Sequence, residues 1–448
     1  MEFQEFKNLV TRKAEAMGLT HYELYYQAEA STSVSAFQHE INEFSSALEG
    51  GVCFRCIVNG KMGYASTQAL TPEQASAIVE RAMDNAAALE AEEQVFLVEG
   101  GKTYAPLNRE PYALPETQAL IDTVLSTQEK LYAADPMVVD GCATQGFGVT
   151  MKTAICNSLG LDVSYENTLS ALVVSAVVSD GEQMEDDYQF KVGKLDTLDT
   201  QTAVSKAVNA AKEKLIGQVP QTQVCPVVFT GEAMSDLLAT FSGVFSSEAA
   251  QKGLSRLAGQ EGSVIAAPVV TLVDDPFYKD SPMPMPFDAE GYPTSRKNVI
   301  AGGRLETLLY NLKTAAVAGK TTTGNASKAG YDGTVGISPF TMYLEAGKYS
   351  QEELLKKAGN GVCITSLGGL HAGANPITGD FSLQSQGYLI ENGEKTVHVK
   401  SFTVAGNFYD LLKNITALSN TVELPRAFGK TAFGSPWVLA ENLSIAGK

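Results

Sequence analysis

The run Gly368-Gly369-Leu370-His371-Ala372-Gly373-Ala374-Asn375-Pro376-Ile377-Thr378-Gly379-Asp380-Phe381-Ser382 holds five glycines or prolines in one short stretch. Backbone of this composition must turn repeatedly or admit another chain at close range. The next segment, Gly387-Tyr388-Leu389-Ile390-Glu391-Asn392-Gly393, alternates and then ends on Asn-Gly, the reversal signal of a tight hairpin. A glycine-rich turn that feeds a hairpin predicts antiparallel sheet. Elsewhere helices sit beside hairpins with no regular βαβ repeat. The expected fold class is therefore α+β, with two domains built from antiparallel sheets and flanking helices.

In the N-terminal half, Phe3–Met17 carries apolar residues at helical spacing and stops at Gly18, a helix-ending residue. Tyr22–Ala28, Ser33–Phe37 and Leu48–Val58 read as strands, the last ending at an Asn59-Gly60 turn. Thr71-Pro72 opens a helix to about Leu89, with Pro72 in its first turn. Thr150–Cys156 and Asp162–Ser179 read as strands, Asp180-Gly181 as a turn, and Asp199–Leu215 as an amphipathic helix. The polar, proline-broken stretch Gln218–Thr222 is the expected boundary, giving domains 1–220 and 221–448.

The C-terminal half opens with a buried-type strand, Cys225–Phe229, and a helix, Gly231–Phe245. Val264–Val273 reads as a strand. Phe277–Gly291 alternates prolines with methionines and cannot pair regularly, so a loop over the surface or over a partner is expected. Asn298–Leu312 predicts a hairpin leading to a helix start. Ser350–Asn360 predicts a helix with a Ser350/Glu353 capping box, and Asn407–Leu418 a further helix.

The 448 residues carry 33 basic and 51 acidic side chains, a net charge of −18. That charge opposes phosphate binding, and no basic stripe, RNP-like strand or zinc-finger spacing offsets it. No nucleic-acid partner is expected. No apolar run approaches a membrane span, and Met1–Lys7 lacks a signal peptide's basic start, so the cytoplasm is the expected location. Six scattered cysteines include Cys53-Phe54-Arg55-Cys56, formally a CxxC. On a strand, residues three apart face opposite ways, so the two sulfurs cannot share a metal.

Four pieces appear in a recognisable order: Gly291-Tyr292-Pro293-Thr294, Gly303-Arg304-Leu305, Thr323-Gly324-Asn325-Ala326 and Ser444-Ile445-Ala446-Gly447. With the Gly368–Ser382 run, they resemble the TldD/PmbA family, the peptidase U62-type "modulator of DNA gyrase" proteins related to metallopeptidases. TldD-type members carry HExxxH on a helix, plus a late cysteine, to hold zinc. Aligning Leu237-Leu238 with the pair before that motif puts Ala239 and Val244 at the histidine positions and Thr240 at the glutamate. No cysteine follows Cys363. Zinc peptidase chemistry needs three protein ligands and a base beside the bound water, which these side chains cannot supply. The chain thus resembles the PmbA/TldE branch. The resemblance implies no cofactor in this chain, zinc in a TldD-type partner (or a homodimer without one), and unfolded or extended peptide as substrate.

No catalytic or metal-ligating residue is assigned. Gly368, Gly369, His371, Gly373, Asn375 and Asp380 are the candidates for a peptide channel or subunit interface. The bland readings are a backbone-bonded His371, an Asp380 that caps its own turn, and a Gly373 that satisfies a φ > 0 turn. His39-Glu40-Ile41-Asn42-Glu43 imitates a zinc motif but lies among alternating residues and reads as exposed strand. Asp274-Asp275 reads as a solvated strand end or a cation site, and Glu182, Glu185, Asp186 and Asp187 as hydrated surface. Two alternatives to a peptidase-complex subunit stay open. One is a stand-alone homodimeric peptide binder; the other is a hydrolase that uses His371, His398 or a carboxylate pair.

Overall fold

The structure is a computed structural model that describes residues 1–90, 95–107, 112–428 and 430–448. The N-terminal half comprises α1 (Phe3–Ala16), β1 (Tyr22–Phe37), β2 (Glu40–Val58), β3 (Lys61–Thr67), α2 (Pro72–Ala88), α3 (Thr117–Ala133), β4 (Ala143–Asn157), β5 (Asp162–Ser179), β6 (Met184–Val192) and α4 (Thr200–Leu215). Its strands form one antiparallel sheet in the order β3-β2-β1-β4-β5-β6. Side chains alternate along β1. Leu24, Val34 and Ala36 enter the helix-covered side, whereas Tyr25 packs on the opposite side with Cys53, Ile155 and Phe287.

Local signals set these helices. Thr71 and Asp199 cap α2 and α4, accepting from Gln74 N and Thr202 N. Ala203, Val204, Ala207, Val208, Ala211 and Leu215 give α4 one buried stripe. The two pieces expected as Tyr22–Ala28 and Ser33–Phe37 are one continuous strand, because β2 and β4 pair β1 through the polar stretch Ala30–Thr32. No expectation covered α3, which buries Leu120, Val124 and Leu131 at helical spacing.

The C-terminal half comprises β7 (Gln223–Phe229), α5 (Gly231–Phe241), α6 (Ser247–Gln251), β8 (Leu272–Asp274), β9 (Lys297–Ala301), β10 (Arg304–Leu305), α7 (Leu312–Ala318), β11 (Ala326–Ser327), β12 (Gly336–Ile337), β13 (Thr341–Leu344), α8 (Gln351–Ala358), β14 (Gly361–Gly368), α9 (Leu370–Gly373), β15 (Asp380–Glu391), β16 (Glu394–Asn407), α10 (Phe408–Asn414), β17 (Ile415–Leu418), β18 (Glu423–Phe428), β19 (Thr431–Ser435) and β20 (Val438–Ala446). One six-stranded sheet runs β10-β9-β8-β13-β19-β18 and another β16-β15-β14-β7-β20-β17. Because β16 also pairs with β20, the second closes into a ring of strands. The β15–β16 hairpin turns at Asn392 and Gly393, both at positive φ, as Asn-Gly predicts. Two pairs, β13–β19 and β14–β7, are parallel and depart from the purely antiparallel expectation. The architecture is α+β.

Three expectations need correction. Val264–Val273 is not a strand except at its end. Ile265 N and Ala267 N donate to Gly303 O and Leu412 O instead of a ladder, and Pro268 has no N–H to give. The helix expected over Asn407–Leu418 stops at Asn414, and Ile415–Leu418 joins β20 as a strand. Phe277–Gly291 is irregular, as its prolines require, and it runs over the surface only at Lys279 and Asp280. Met283, Met285, Phe287, Asp288 and Glu290 are buried against the second face of the N-terminal sheet. There Asn167 Nδ2 donates to Pro284 O at 2.5 Å. This segment straps the two halves together. No helix among the described residues is long and apolar enough to cross a membrane.

Candidate functional site

Thr230 caps α5 by accepting from Ala233 N, and Met234, Leu237, Leu238 and Phe241 anchor it in the C-terminal core. At Ser242 the coil tightens to a 3₁₀ turn through Phe245, which sends Val244 into that core with 2% exposure. Ala239 and Thr240 face a cleft of about 510 Å³ instead. Thr240 Oγ1 is committed to Asp236 O at 2.7 Å, so it offers no free base. Leu370 and His371 of the glycine run form another part of the cleft wall, with Thr431 and Phe433 of β19 also lining it. The structure thus brings together two segments about 130 residues apart in the chain, the α5 positions and the glycine run.

Each candidate in that run has a definite place. Gly369, at φ +72°, starts the single turn α9. His371 is exposed at the cleft. Gly373 is not at positive φ; a Cβ there would be driven into the Ser382 carbonyl of the same chain. The close neighbour at Gly373 is therefore intramolecular. Gly368 has only Gln384 near its Cβ position. Asn375 Oδ1 accepts from Ile377 N and Thr378 N at 3.0 and 3.2 Å, building the turn itself. Asp380 accepts from Asn407 Nδ2 at 2.8 Å, and that bond together with Thr378 holds its carboxyl below the usual range.

The other suspected residues lie apart from this cleft. His39 is in the β1–β2 turn at φ +68°, not on a strand, and stacks on Tyr132 at 4.2 Å. His398 is buried beside Tyr388, and burial pushes its imidazole down. Asp274 is no solvated strand end: fully buried, it accepts from Lys297 Nζ (3.1 Å), Asn325 Nδ2 (2.7 Å) and Phe340 N (2.7 Å). Glu185 and Asp187 are likewise not free surface, since they pair with Lys400 and Lys214. Cys53 and Cys56 fall in separate core clusters on opposite faces of β2.

Sequence reasoning missed a buried charge cluster where the strap meets the N-terminal sheet. Arg55 Nε pairs with Glu23 Oε1 at 2.8 Å, both buried. Asp288 accepts from Glu290 N, Tyr292 N and Ala326 N. Glu290 accepts from Leu312 N at 2.8 Å. Burial pushes Asp288 and Glu290 well up, and Asp288 adds to the rise at Glu290. Strand alternation around Glu23 and Arg55 was the available signal: both share the face of the apolar Tyr25.

A catalytic zinc does not fit the cleft's donors. It offers one imidazole, His371, and one carboxylate, Asp236, where three ligands are needed. Among the described residues no three His, Cys, Asp or Glu cluster closely enough to hold a metal ion.

The fold thus combines a ring of strands carrying α5, a glycine-run cleft and an N-terminal sheet docked on it. Residues 222–447 match the PmbA/TldA metallopeptidase C-terminal domain, residues 22–86 its domain 1 and residues 110–215 its central domain. The chain belongs to the PmbA/TldA metallopeptidase family. It is 30% identical to a Thermotoga maritima protein described as a modulator of a DNA gyrase, with TM-score 0.90 over 99% of this chain and 100% of that one. TldE from Thermococcus kodakarensis is 25% identical with TM-score 0.88, over 98% and 99% of the two chains. Metalloprotease PmbA of Escherichia coli O157:H7 is 29% identical over 271 residues, 60% of this chain and 57% of that protein.

Proposed function

We propose that this chain is the non-metal-binding, PmbA/TldE-like subunit of a TldD/TldE-type metallopeptidase complex acting on unfolded or extended peptides. The observation that carries this reading is the surface of α5. Where an HExxxH helix would aim two imidazoles and a carboxylate at the cleft, Ala239 and an internally bonded Thr240 stand there, and Val244 points into the core. The likeness to the Thermococcus kodakarensis TldE supports the same reading. In it, this subunit shapes the substrate chamber while a TldD-type partner supplies zinc and its activated water.

The test compares three samples on unfolded peptides: this chain, a TldD-type subunit and their mixture, with elemental analysis of each. The expected result is far less than one zinc per chain here and hydrolysis only where the TldD-type subunit is present, enhanced in the mixture. One tightly held zinc in this chain, or chelator-sensitive cleavage by it alone, would overturn the reading.

A further inference from the structure

The C-terminal cleft is not the largest opening. Among the described residues, strand β6 ends the N-terminal sheet and pairs only with β5, while β18 ends its own sheet and pairs only with β19. These two edges flank a groove of about 560 Å³. Tyr188–Gly193 form one wall continuously, and Glu423, Leu424 and Pro425 form part of the other. Pro425 lacks an N–H, which makes the β18 edge the poorer template. On β6, Gly193 N donates inward to Ser170 O at 2.9 Å. Successive amides of an antiparallel strand alternate direction, so Phe190 and Val192 present their backbone groups to the groove. Tyr188 O and Asp186 O on the same edge, by contrast, already accept from Gln189 Nε2 and Lys214 Nζ.

Charge selects the occupant. Asp280 lies 3.8 Å from Lys279, and Glu423 accepts from Trp437 Nε1 and Gln351 Nε2, both at 3.0 Å. Glu232 lines the groove as well. Among the described residues Lys191 and Lys206 have no ion pair. Lys191 lies across from Leu172, on the α4 side of the sheet, where Lys206 also projects into the groove. Burial pushes the Lys191 ammonium down and Lys206 pushes it further, while Asp199 and Glu232 offset part of the shift; a carboxylate placed directly between the two lysines would offset more of it.

We propose that this groove takes an extended peptide segment that adds to the edge of β6 at Phe190 and Val192 as a further strand, with an acidic side chain of that segment held between Lys191 and Lys206. The inference rests on the peptide-handling reading above and names where the peptide docks. A residue directly across from Lys191 on an added strand shares its face, which puts an Asp or Glu carboxylate beside both ammonium groups.

The test is fluorescence anisotropy of the full chain with labelled, terminally blocked heptapeptides of alternating Thr and Val, carrying a central Asp or a central Asn. The Asp peptide should bind about tenfold tighter, the size of one charge-assisted contact. Lys191→Gln with Lys206→Gln should erase that difference, while Lys152→Gln keeps it. Val192→Pro, at an unchanged melting temperature, should weaken both peptides. Equal binding of the two peptides, or an undiminished difference in the double variant, overturns the proposal. So does full affinity in a folded Val192→Pro variant; if that variant does not fold, the lysine variants decide. Hydrolysis is read separately in the mixture with a TldD-type subunit. Wild-type hydrolysis with peptide binding indifferent to the lysines sinks the groove alone, whereas no wild-type hydrolysis sinks the subunit reading.

Discussion

Glu290→Gln isolates the buried cluster at the strap. Glu23, Asp288, Glu290 and Arg55 are all 7% exposed or less; Arg55 pairs with Glu23, Lys297 pulls on Asp288, and the buried Lys328 lies near Glu23. Burial and the neighbouring Asp288 outweigh the pull of Arg55, so the folded protein retains a proton on Glu290 well above the ordinary glutamate range. The sign follows from linkage. A carboxyl whose folded pKa is raised contributes stability below its unfolded pKa and loses it as pH rises through the folded value. Each pH unit in that window costs at most about 1.4 kcal/mol per proton released, so wild type should lose up to about 3 kcal/mol from pH 6 to pH 8 through this group. Glutamine keeps the shape and the Leu312 contact but has no proton to lose. Thermal melts of both proteins at half-unit steps from pH 5.5 to 9 should coincide within a few degrees at the acid end. They should then diverge, with Glu290→Gln the more stable at the alkaline end. Parallel curves across the range would refute the argument, and a variant strongly destabilised at pH 6 would mean that Glu290 is a charged partner of Arg55.

Other perturbations test neighbouring claims. Arg55→Met should cost about 3–5 kcal/mol by leaving Glu23 buried and unpaired, and Glu23→Leu added to it should restore most of the loss in urea unfolding. Gly373→Ala should lower the melting temperature more than Gly369→Ala. The first drives a Cβ into the Ser382 carbonyl, whereas the second costs only the roughly 1–2 kcal/mol of a left-handed residue in open space. Equal effects would show that the α9 turn yields readily.

What the sequence disclosed follows the range of the forces involved. Thr71-Pro72 and the Ser350/Glu353 box were readable because capping needs only three or four consecutive residues. The Asn392-Gly393 reversal was readable for the same reason. Ala239, Thr240 and Val244 came to notice through the family resemblance, by alignment with its HExxxH motif, although the 3₁₀ turn that buries Val244 was not legible there. Asp274 and the Phe277–Gly291 strap were misjudged because nothing local announces burial by a distant sheet. Asp274 gains its partners from Lys297, Asn325 and Phe340. The strap's methionines read as exposed until Met151 and Leu169 cover Met283. The glycine run drew attention through its backbone freedom, yet its neighbour at Gly373 proved to be its own following strand.

The strap has a bearing on both proposed sites. Apolar contact between the second face of the N-terminal sheet and residues 283–287 is non-directional and would tolerate sliding. The buried polar groups do not tolerate it. Asn167 Nδ2 must meet Pro284 O, and the sheet's Glu23–Arg55 pair must sit beside Glu290, or charges are left stranded at a cost of several kcal/mol. Away from the strap, Lys400–Glu185 and the Tyr388–Glu213 hydrogen bond tie the same two halves together. Polar pairs at both places fix one register between the halves. That register sets the width of the β6–β18 groove, because one edge belongs to each half. The α5 cleft lies wholly in the C-terminal half and does not depend on it. Arg55→Met should therefore weaken peptide binding at the groove even where the protein remains folded, while the α5 cleft keeps its shape.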